Sequence, residues 1–407
     1  MTNQSIELGV DRLLHEQSLK DELKGSKIAL VGHPASVNNQ LVHSLDALSN
    51  CPEIKLTAAF GPQHGMRGDK QDNMIESQDF MDPEHNIPVY SLYGDTRRPT
   101  EEMMNAFDVL LFDVQDLGCR IYTYITTLLY LLEAAAKHHK PVWILDRPNP
   151  AGRPIEGTIL EPGWESFVGA STIIMRHGLT VGEIAKWFVK HHRLDVELKV
   201  IEMKGYTLNQ EPGFGWPSNQ LAWVNPSPNA ASLNMARCYA GTVLLEGAHL
   251  SEGRGTTIPL EVMGAPDLDI KGILKEMSSL STEWMQGVKI RSCFFEPTFH
   301  KHQGKLCNGI QLHTDTMEYN PQQFKPFRLT ILFLKAIRKL YPDYKLWRQH
   351  DYEYELGKLP FDVINGGTYV REWIDSDTSS VEEMETRLAS DEELWQKQID
   401  DVLIYKS

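Results

Sequence analysis

Cysteine is scarce in this chain, and its distribution excludes two classes of small, cross-linked fold. The cysteines are odd in number and far apart in the sequence: Cys51, Cys119, Cys238, Cys293 and Cys307. Because no C-x-x-C pair occurs, the sequence predicts neither a disulfide framework nor a zinc knuckle. We therefore expect reduced thiols, which are typical of a cytoplasmic protein.

Basic stretches and long apolar runs are also missing. The 407 residues carry a formal net charge of −15 without any basic stripe, which argues against nucleic acid as a partner. No apolar run reaches the roughly 18 residues that a membrane span needs, and the first residues lack the pattern of a secretory signal. We expect a cytoplasmic protein without a membrane partner, and the sequence does not indicate an oligomeric state.

The common cofactor and nucleophile motifs are absent as well. The first predicted strand ends in V-G-H-P-A-S-V at residues 31–37, which contains neither G-x-G-x-x-G nor a P-loop. G-x-S-x-G is missing, which argues against a serine nucleophile. A metal site from His33, His64, Asp113 and Asp116 has no H-x-x-x-H or H-E-x-x-H spacing to support it. We expect no cofactor and no metal, with a metal-dependent hydrolase as an alternative.

The sequence does contain short apolar runs separated by segments of helical length. These runs predict strands at residues 27–31, 55–60, 87–92, 109–112 and 141–145. The alternation predicts an α/β fold, namely a Rossmann-like parallel sheet with helices on both faces.

The length of 407 residues exceeds what one hydrophobic core usually serves. A segment rich in proline and glycine at residues 210–228 places the boundary near residue 230. We predict a Rossmann-like catalytic domain over residues 1–230 and a smaller auxiliary α+β domain over residues 231–407 that contributes to the cleft.

Polar side chains follow each predicted strand, at what must be one edge of the sheet. They are His33 and Ser36, Gln63 and His64, Tyr93 and Arg97, Asp113 and Asp116, and Asp146, Arg147 and Asn149. Open α/β sheets bind ligands at this edge. Loops also need polar residues for solvation and capping, but several loops stiffened by glycine or proline favour a functional site.

Residues 109–124 form the centre of this predicted site. The run V-L-L-F predicts a buried strand that delivers Asp113 and Asp116 to a turn before a helix predicted at residues 121–136. The polar tract at residues 67–82, which contains Glu76, is long for a connection and predicts a functional loop.

A second informative stretch lies at residues 240–261. Its apolar first half predicts a short strand, which feeds a glycine-rich loop carrying Glu246, Glu252 and Arg254. Glycines let the backbone approach a ligand closely, so this loop is a candidate binding segment.

Carboxylates are the chemical groups that these segments share. General acid–base and glycoside chemistry need one neutral and one ionised carboxylate. The residues therefore predict a hydrolase or lyase acting on a polar ligand, with Asp113, Asp116, Glu156 and Glu252 as candidates. For each of these, a helix cap or an ion pair with Arg120, Arg147 or Arg254 is the alternative role.

Several long motifs add a resemblance to this pattern. They are F-G-P-Q-H-G-M-R-G-D, P-V-Y-S-L-Y-G-D-T-R-R-P-T, L-L-F-D-V-Q-D-L-G-C-R-I-Y-T-Y-I-T-T, L-D-R-P-N-P, E-G-A-H-L-S-E-G-R-G-T-T and H-Q-G-K-L-C-N-G-I-Q-L-H. In this order they resemble the exo-β-N-acetylmuramidase (NamZ-type) family. The resemblance implies a Rossmann-like domain, an auxiliary C-terminal domain and release of N-acetylmuramic acid from the non-reducing end of peptidoglycan fragments. A carbohydrate- or muropeptide-binding protein without catalysis is the alternative.

The expected site residues follow from the motifs and the sheet edge together. We expect catalytic carboxylates among Glu76, Asp113, Asp116 and Glu156. We expect a small carbohydrate or muropeptide to be bound by Gln63, His64, Arg67, Tyr93, Arg120, Tyr122, Asp146, Arg147, Asn149, Glu252 and Arg254.

One position departs from the family pattern. Many members read G-P-E-H-G where this chain reads G-P-Q-H-G, and the resemblance implies that their glutamate is a candidate catalytic acid. Gln63 cannot exchange a proton in the same way. Either a neighbouring carboxylate serves, with Glu76 and Glu156 preferred, or Gln63 only orients substrate or water, or the activity is lost or changed. We hypothesise an active glycosidase of altered specificity.

Overall fold

The N-terminal half is built on one large sheet, and the computed structural model describes residues 5–68, 75–208 and 215–406. The strands are β1 (Lys27–Val31), β2 (Lys55–Gly61), β3 (Phe80–Met81), β4 (Pro88–Ser91), β5 (Val109–Phe112), β6 (Val142–Leu145) and β9 (Leu198–Ile201). Within the described residues they pair in the order β3-β4-β2-β1-β5-β6-β9. Neighbours are parallel, except for the antiparallel edge pair β3 and β4.

The sequence of β5 shows why this sheet forms. All four of its residues are buried, as a parallel strand covered on both faces requires. Val109 and Leu111 point into one hydrophobic core, and Leu110 and Phe112 point into the other. The Rossmann-like α/β fold predicted from the alternating pattern is therefore confirmed.

Helices cover both faces of the sheet. The core that holds Val109 includes α1 (Gly9–His15), α2 (Gln17–Leu23) and α3 (Ser44–Ser49), and the other includes α4 (Glu101–Asn105), α5 (Tyr124–His138) and α6 (Val181–His191). A Cβ atom on Gly9 would lie 2.3 Å from the backbone nitrogen of Asp146, so only glycine lets α1 approach the end of β6 this closely.

Glu16, whose backbone is extended, separates α1 from α2. One predicted helix has different bounds in the structure. The helix expected from residue 121 begins at Tyr124, because residues 113–123 form an irregular loop across the carboxyl end of the sheet.

The C-terminal half combines a small antiparallel sheet with helices. Its strands are β10 (Val262–Ala265), β11 (Lys289–Phe295) and β12 (Cys307–His313), paired in the order β10-β12-β11. Its helices are α7 (Leu233–Thr242), α8 (Ile270–Leu280), α9 (Pro326–Leu340), α10 (Pro360–Asn365), α11 (Tyr369–Asp375) and α12 (Val381–Ile399), with 3₁₀ turns at Val243–Gly247 and Glu283–Met285.

The prediction of a strand at the start of residues 240–261 is wrong. Residues 240–242 end α7, and Val243–Gly247 forms a 3₁₀ turn that is buried throughout. A short apolar run that is covered on all sides has no periodicity that distinguishes a strand from a helical turn.

The C-terminal end of the chain packs onto the N-terminal half. The strands β7 (Glu156–Ile159) and β8 (Ile174–Arg176) form a hairpin, and α12 packs against both of them. The Tyr405 hydroxyl donates a hydrogen bond to the Asp146 carboxylate at the end of β6, with an oxygen–oxygen distance of 2.8 Å. The last residues of the chain thus complete the N-terminal core.

Two further expectations concern the whole chain. All five cysteines are free thiols. Within the described ranges no helix is both long enough and apolar enough to cross a membrane. Residues 69–74 of the predicted functional loop and residues 210–214 of the predicted boundary segment lie outside the described residues.

Candidate active site

Asp113, the first carboxylate after β5, is held in a buried ion pair. Arg147 donates from Nε and Nη2 to the two Asp113 carboxylate oxygens at 2.6 and 2.8 Å, and Ser44 donates a third hydrogen bond. The Asp113 side chain is fully buried. Arg147 also lines a pocket beside the end of β1, together with Asn38 and Trp216. This arrangement gives Asp113 and Arg147 a structural task at the carboxyl edge of the sheet.

Glu156 lies at the first turn of α9. Its carboxylate accepts the backbone N–H groups of Phe327 and Arg328 at 3.2 and 2.8 Å, and the Arg328 guanidinium lies 3.8 Å away. Burial raises the pKa of Glu156, and the Arg328 charge opposes this rise. Glu156 therefore connects β7 to the N-terminus of α9, where unpaired N–H groups favour a carboxylate.

The other two predicted catalytic carboxylates have different surroundings. Asp116 is buried, accepts the Gly118 N–H at 2.6 Å and lies 3.4 Å from Nε2 of His177. Glu76 has a half-exposed side chain and accepts the Tyr354 hydroxyl at 3.1 Å. Within the described residues the side chains of Glu76, Asp113, Asp116 and Glu156 share no hydrogen-bond or ion-pair partner.

Several predicted binding residues also have partners within the protein. Arg120 is fully buried and donates to four backbone carbonyl oxygens, those of Thr158, Ile173, Ile364 and Asn365. Three other predicted binding residues form hydrogen bonds within the protein: Arg67 with Asp82, Asp146 with Thr180 and Gly182, and Asn149 with Gly152 and Leu179. These contacts hold loops and the two halves of the chain in place.

Four predicted binding residues do converge on one pocket. Gln63, His64, Tyr122 and Arg254 line a cleft between the two halves of the chain. The remaining lining residues are Ile121, Thr123, Val168, Ser227, Asn229, Met235, Tyr239, Glu246, Leu260, Tyr352 and Glu353. Two carboxylates, Glu246 and Glu353, therefore face the same cleft as Gln63.

Glu353 is the carboxylate beside Gln63. The Tyr93 hydroxyl donates to one of its oxygens at 2.9 Å, and the Gln63 amide donates to the other at 3.4 Å. Gln63 in turn accepts the Thr123 hydroxyl at 2.7 Å. Burial raises the pKa of Glu353, and the negative charge of Glu246 raises it further. The hydrogen bonds from Tyr93 and Gln63 oppose this rise, and the net direction favours the protonated form of the Glu353 carboxyl group.

Glu246, in contrast to Glu353, is paired with a cation. It forms an ion pair with Arg254 at 2.6 Å and accepts the Tyr352 hydroxyl at 2.6 Å. Behind Arg254 lies Glu252, 3.3 Å away, which is itself paired with Lys301 at 2.5 Å. Burial alone would raise the pKa of Glu252, but the charges of Lys301 and Arg254 outweigh it and hold that pKa well below its ordinary value. Glu252 thus supports the Arg254 side chain from behind.

Only part of this site is visible in the sequence. Glu246 lies in residues 240–261, the segment that the sequence marks for binding, although the structure places it in the 3₁₀ turn Val243–Gly247. Glu353 lies in D-Y-E-Y-E, which has no such signal. Glu353 and Tyr354 both adopt positive φ angles, 46° and 70°, which non-glycine residues rarely do. Such backbone strain tends to occur at functional sites, but it becomes visible only in the structure.

One group of potential metal ligands occurs within the described residues. Asp46, Glu84 and His85 could each offer one ligand atom, and Nε2 of His85 lies 2.9 Å from the Asp46 carboxylate. None of these three residues lines the cleft between the two halves. The cleft itself offers carboxylates, hydroxyl groups and one guanidinium, a set suited to binding and protonating a sugar.

Two solved structures resemble this chain over nearly its full length. Both are DUF1343 family proteins from Bacteroides fragilis NCTC 9343. The 1.65 Å structure has a TM-score of 0.85 and 29% sequence identity, and covers 99% of each chain. The 1.30 Å structure has a TM-score of 0.73 and 26% identity, and covers 99% of this chain and 100% of that one.

Sequence comparison points to the same relationship. The chain is 41% identical over 375 residues to peptidoglycan beta-N-acetylmuramidase NamZ of Bacillus subtilis (strain 168), covering 92% of this chain and 85% of that protein. The family models for the N-terminal and C-terminal parts of exo-beta-N-acetylmuramidase NamZ match residues 28–234 and 237–405. The chain therefore belongs to the exo-beta-N-acetylmuramidase NamZ family.

Proposed function

We propose that this protein is a glycoside hydrolase that releases N-acetylmuramic acid from the non-reducing end of peptidoglycan fragments. The observation that carries this conclusion is the 41% identity to a peptidoglycan beta-N-acetylmuramidase over 92% of the chain. The cleft adds chemistry that suits the reaction, because two carboxylates with different surroundings face one space.

Within this function we assign the role of general acid to Glu353. Burial and the neighbouring Glu246 charge raise its pKa, which suits a group that protonates the leaving oxygen. Glu246, paired with Arg254, is the ionised carboxylate of the proposed pair. Because Glu353 accepts the Gln63 amide, a neighbouring carboxylate can serve where other members of the family carry the glutamate. This neighbour differs from Glu76 and Glu156, which the sequence favoured.

Gln63 then acts as a positioning residue. It lies between the Thr123 hydroxyl and the Glu353 carboxyl, and its side chain makes a hydrogen bond to each. We propose that His64, Tyr122 and Arg254, which share the cleft, bind the substrate. Tyr93 fixes the Glu353 carboxyl from the opposite side through its hydroxyl.

We also propose the division into a catalytic domain over residues 1–230 and an auxiliary domain over residues 231–407. The gap between the two family models, at residues 234 and 237, supports a boundary close to this position. The cleft takes Gln63 from the first part and Glu353 from the second, so both parts contribute to the site. The five free thiols support a cytoplasmic location.

A chromogenic β-N-acetylmuramide tests this function directly. We expect turnover by the wild type and a loss of about 10²- to 10⁴-fold in kcat for Glu353→Gln. The matched control is Glu355→Gln, two residues after Glu353 in the chain. It removes an ion pair with Lys358 and should keep full activity. A wild type without turnover, together with gain of activity by Gln63→Glu, would show a degenerate site and contradict the proposal.

A further inference from the structure

Arg97, which follows β4, lies in an unusual environment beside the proposed site. Its guanidinium carbon is 4.0 Å from the ring centre of Tyr354, 4.7 Å from that of Tyr93 and 5.7 Å from that of Phe167. Aromatic faces stabilise a cation without using its N–H groups. The rings therefore hold the guanidinium in one place and leave its donors to other partners.

The donors of Arg97 are largely unused. Nε and Nη2 are buried and have no hydrogen-bond partner among the residues that the structure describes. The nearest carboxylate in an ion pair is that of Glu76, at 3.7 Å from Nη2, and half of that side chain is exposed. Buried guanidinium donors without partners are rare, because each loses its bonds to water and gains none in return. Such a group is suited to bind an anion.

The same aromatic residues connect Arg97 to the proposed acid. The Tyr93 hydroxyl donates to Glu353 at 2.9 Å, and Tyr354 is the next residue in the chain. One tyrosine ring thus separates the guanidinium from the carboxyl group at which the glycosidic bond would break. Arg97 itself does not line the cleft, so a substituent of a sugar bound at Glu353 would have to reach it past the Tyr93 and Tyr354 rings.

Two other cations close to the cleft are paired with buried carboxylates. Arg254 pairs with Glu246 at 2.6 Å and lies 3.3 Å from Glu252. Lys301 is buried against Glu252 at 2.5 Å. Among these three cations Arg97 has the longest ion-pair distance, 3.7 Å from Nη2 to the Glu76 carboxylate, and its partner is half exposed.

We propose that Arg97 binds the carboxylate of the lactyl ether of N-acetylmuramic acid and thereby selects this sugar over N-acetylglucosamine. This inference rests on the proposed function, which supplies the sugar. The lactyl group is what distinguishes the two sugars, and its carboxylate is the negative charge that only one of them carries. A guanidinium matches a carboxylate through two parallel N–H bonds, which an ammonium group cannot form.

Glu76 has a defined part in this proposal. Its carboxylate occupies the edge of Arg97 where the substrate carboxylate would bind, and Tyr354 donates a hydrogen bond to it. Because the Glu76 side chain is half exposed, it can move into water when the substrate arrives. Glu76 therefore acts as an internal substitute for the ligand.

The test compares two sugars that differ only in the lactyl group. The β-N-acetylmuramide and β-N-acetylglucosaminide of the same chromogenic alcohol are assayed with wild type, Arg97→Gln and Arg97→Lys. The matched control is Arg98→Gln, since Arg98 is the adjacent arginine and pairs with Glu133 on the exposed surface. Binding of the free sugars is measured by calorimetry on the same proteins.

The proposal predicts a selective loss. Arg97→Gln should lower kcat/KM for the muramide by about 10- to 100-fold, chiefly through KM, and leave that for the glucosaminide unchanged. Arg97→Lys should show a smaller loss, and Arg98→Gln should change neither value. Equal losses for both glycosides, or no change in preference, would overturn the proposal.

The hydrolase activity and the role of Arg97 can fail separately. A wild type that hydrolyses neither glycoside, but binds N-acetylmuramic acid more tightly than N-acetylglucosamine in an Arg97-dependent way, would contradict the hydrolase and support the role of Arg97. Turnover of the muramide with a preference that does not depend on Arg97 would support the hydrolase and overturn the role of Arg97. If Arg97→Gln does not fold, Arg97→Lys decides between these outcomes.

Discussion

Replacing Asp113 by asparagine separates a structural role from a catalytic one. The substitution removes the charge that faces Arg147 while keeping nearly the same shape. Arg147 would then remain buried, with an exposed side-chain fraction of 4%, and would lose its carboxylate partner at 2.6 and 2.8 Å. Breaking a buried pair by removing one charge costs about 3–5 kcal/mol in the free energy of unfolding.

The size of this effect makes it easy to measure. For a chain with domains of this size, each kcal/mol corresponds to about 2–4 °C, so Tm should fall by on the order of 10 °C. Thermal unfolding and the urea midpoint are the measurements. At a temperature where the variant is folded, kcat on the chromogenic muramide should stay within about 10-fold of the wild type. The double variant Asp113→Leu/Arg147→Met should recover much of the lost stability, because no unpaired charge remains.

Glu353→Gln should affect activity rather than stability. It should keep most of the stability and lose about 10²- to 10⁴-fold in kcat. A structural role for Asp113 would be refuted if Asp113→Asn left Tm unchanged and reduced kcat by about 10²- to 10⁴-fold. Asp113 would then be the catalytic carboxylate that the sequence suggested.

Four further predictions concern the proposed acid and the contact between the two halves. The pKa of Glu353 is raised in the folded protein, and a general acid must be protonated to act. We therefore expect kcat/KM to fall as the pH rises through that pKa. This alkaline limb of the pH–rate curve should be missing in Glu353→Gln. The raised pKa also stabilises the folded protein at low pH, and this contribution to stability is lost as the pH rises through the folded-state pKa. Glu353→Gln should therefore resist urea better than the wild type at pH 8, but not at pH 4. Gln63→Glu places a second carboxyl group beside Glu353 and should move the alkaline limb to higher pH by about one unit, which a flat comparison with wild type would contradict. Arg120→Met leaves four carbonyl oxygens without their donor and should lower the free energy of unfolding by more than about 3 kcal/mol. The activity per folded molecule should be retained. An unchanged urea midpoint would show that these hydrogen bonds contribute little to stability.

The sheet could be predicted because its strands carry the signal locally. A strand such as Val109–Phe112 is buried on both faces, so its composition alone reveals it. The glycine-rich segment at residues 240–261 and the G-P-Q-H-G turn with Gln63 were also visible in the sequence, since glycine and proline mark turns. Each of these features depends on a few consecutive residues.

The proposed acid could not be found in the same way. Glu353 meets Gln63 and Tyr93 only after the chain has folded, across sequence separations of 290 and 260 residues. Asp113 shows the converse problem, because a carboxylate at the end of a strand looks the same whether it faces substrate or a buried arginine. The partner Arg147, 34 residues away, decides between the two. Sequence patterns identify the edge of a sheet, but not which charges are already balanced there.

The position of the last helix affects how the protein can be synthesised. Because α12 covers the β7 and β8 hairpin and Tyr405 reaches the end of β6, the first half cannot reach its final packing while the ribosome still holds α12 and Tyr405. Part of its apolar surface stays uncovered until these residues have left the ribosome. Shortening the protein from this end would therefore damage the half that is made first.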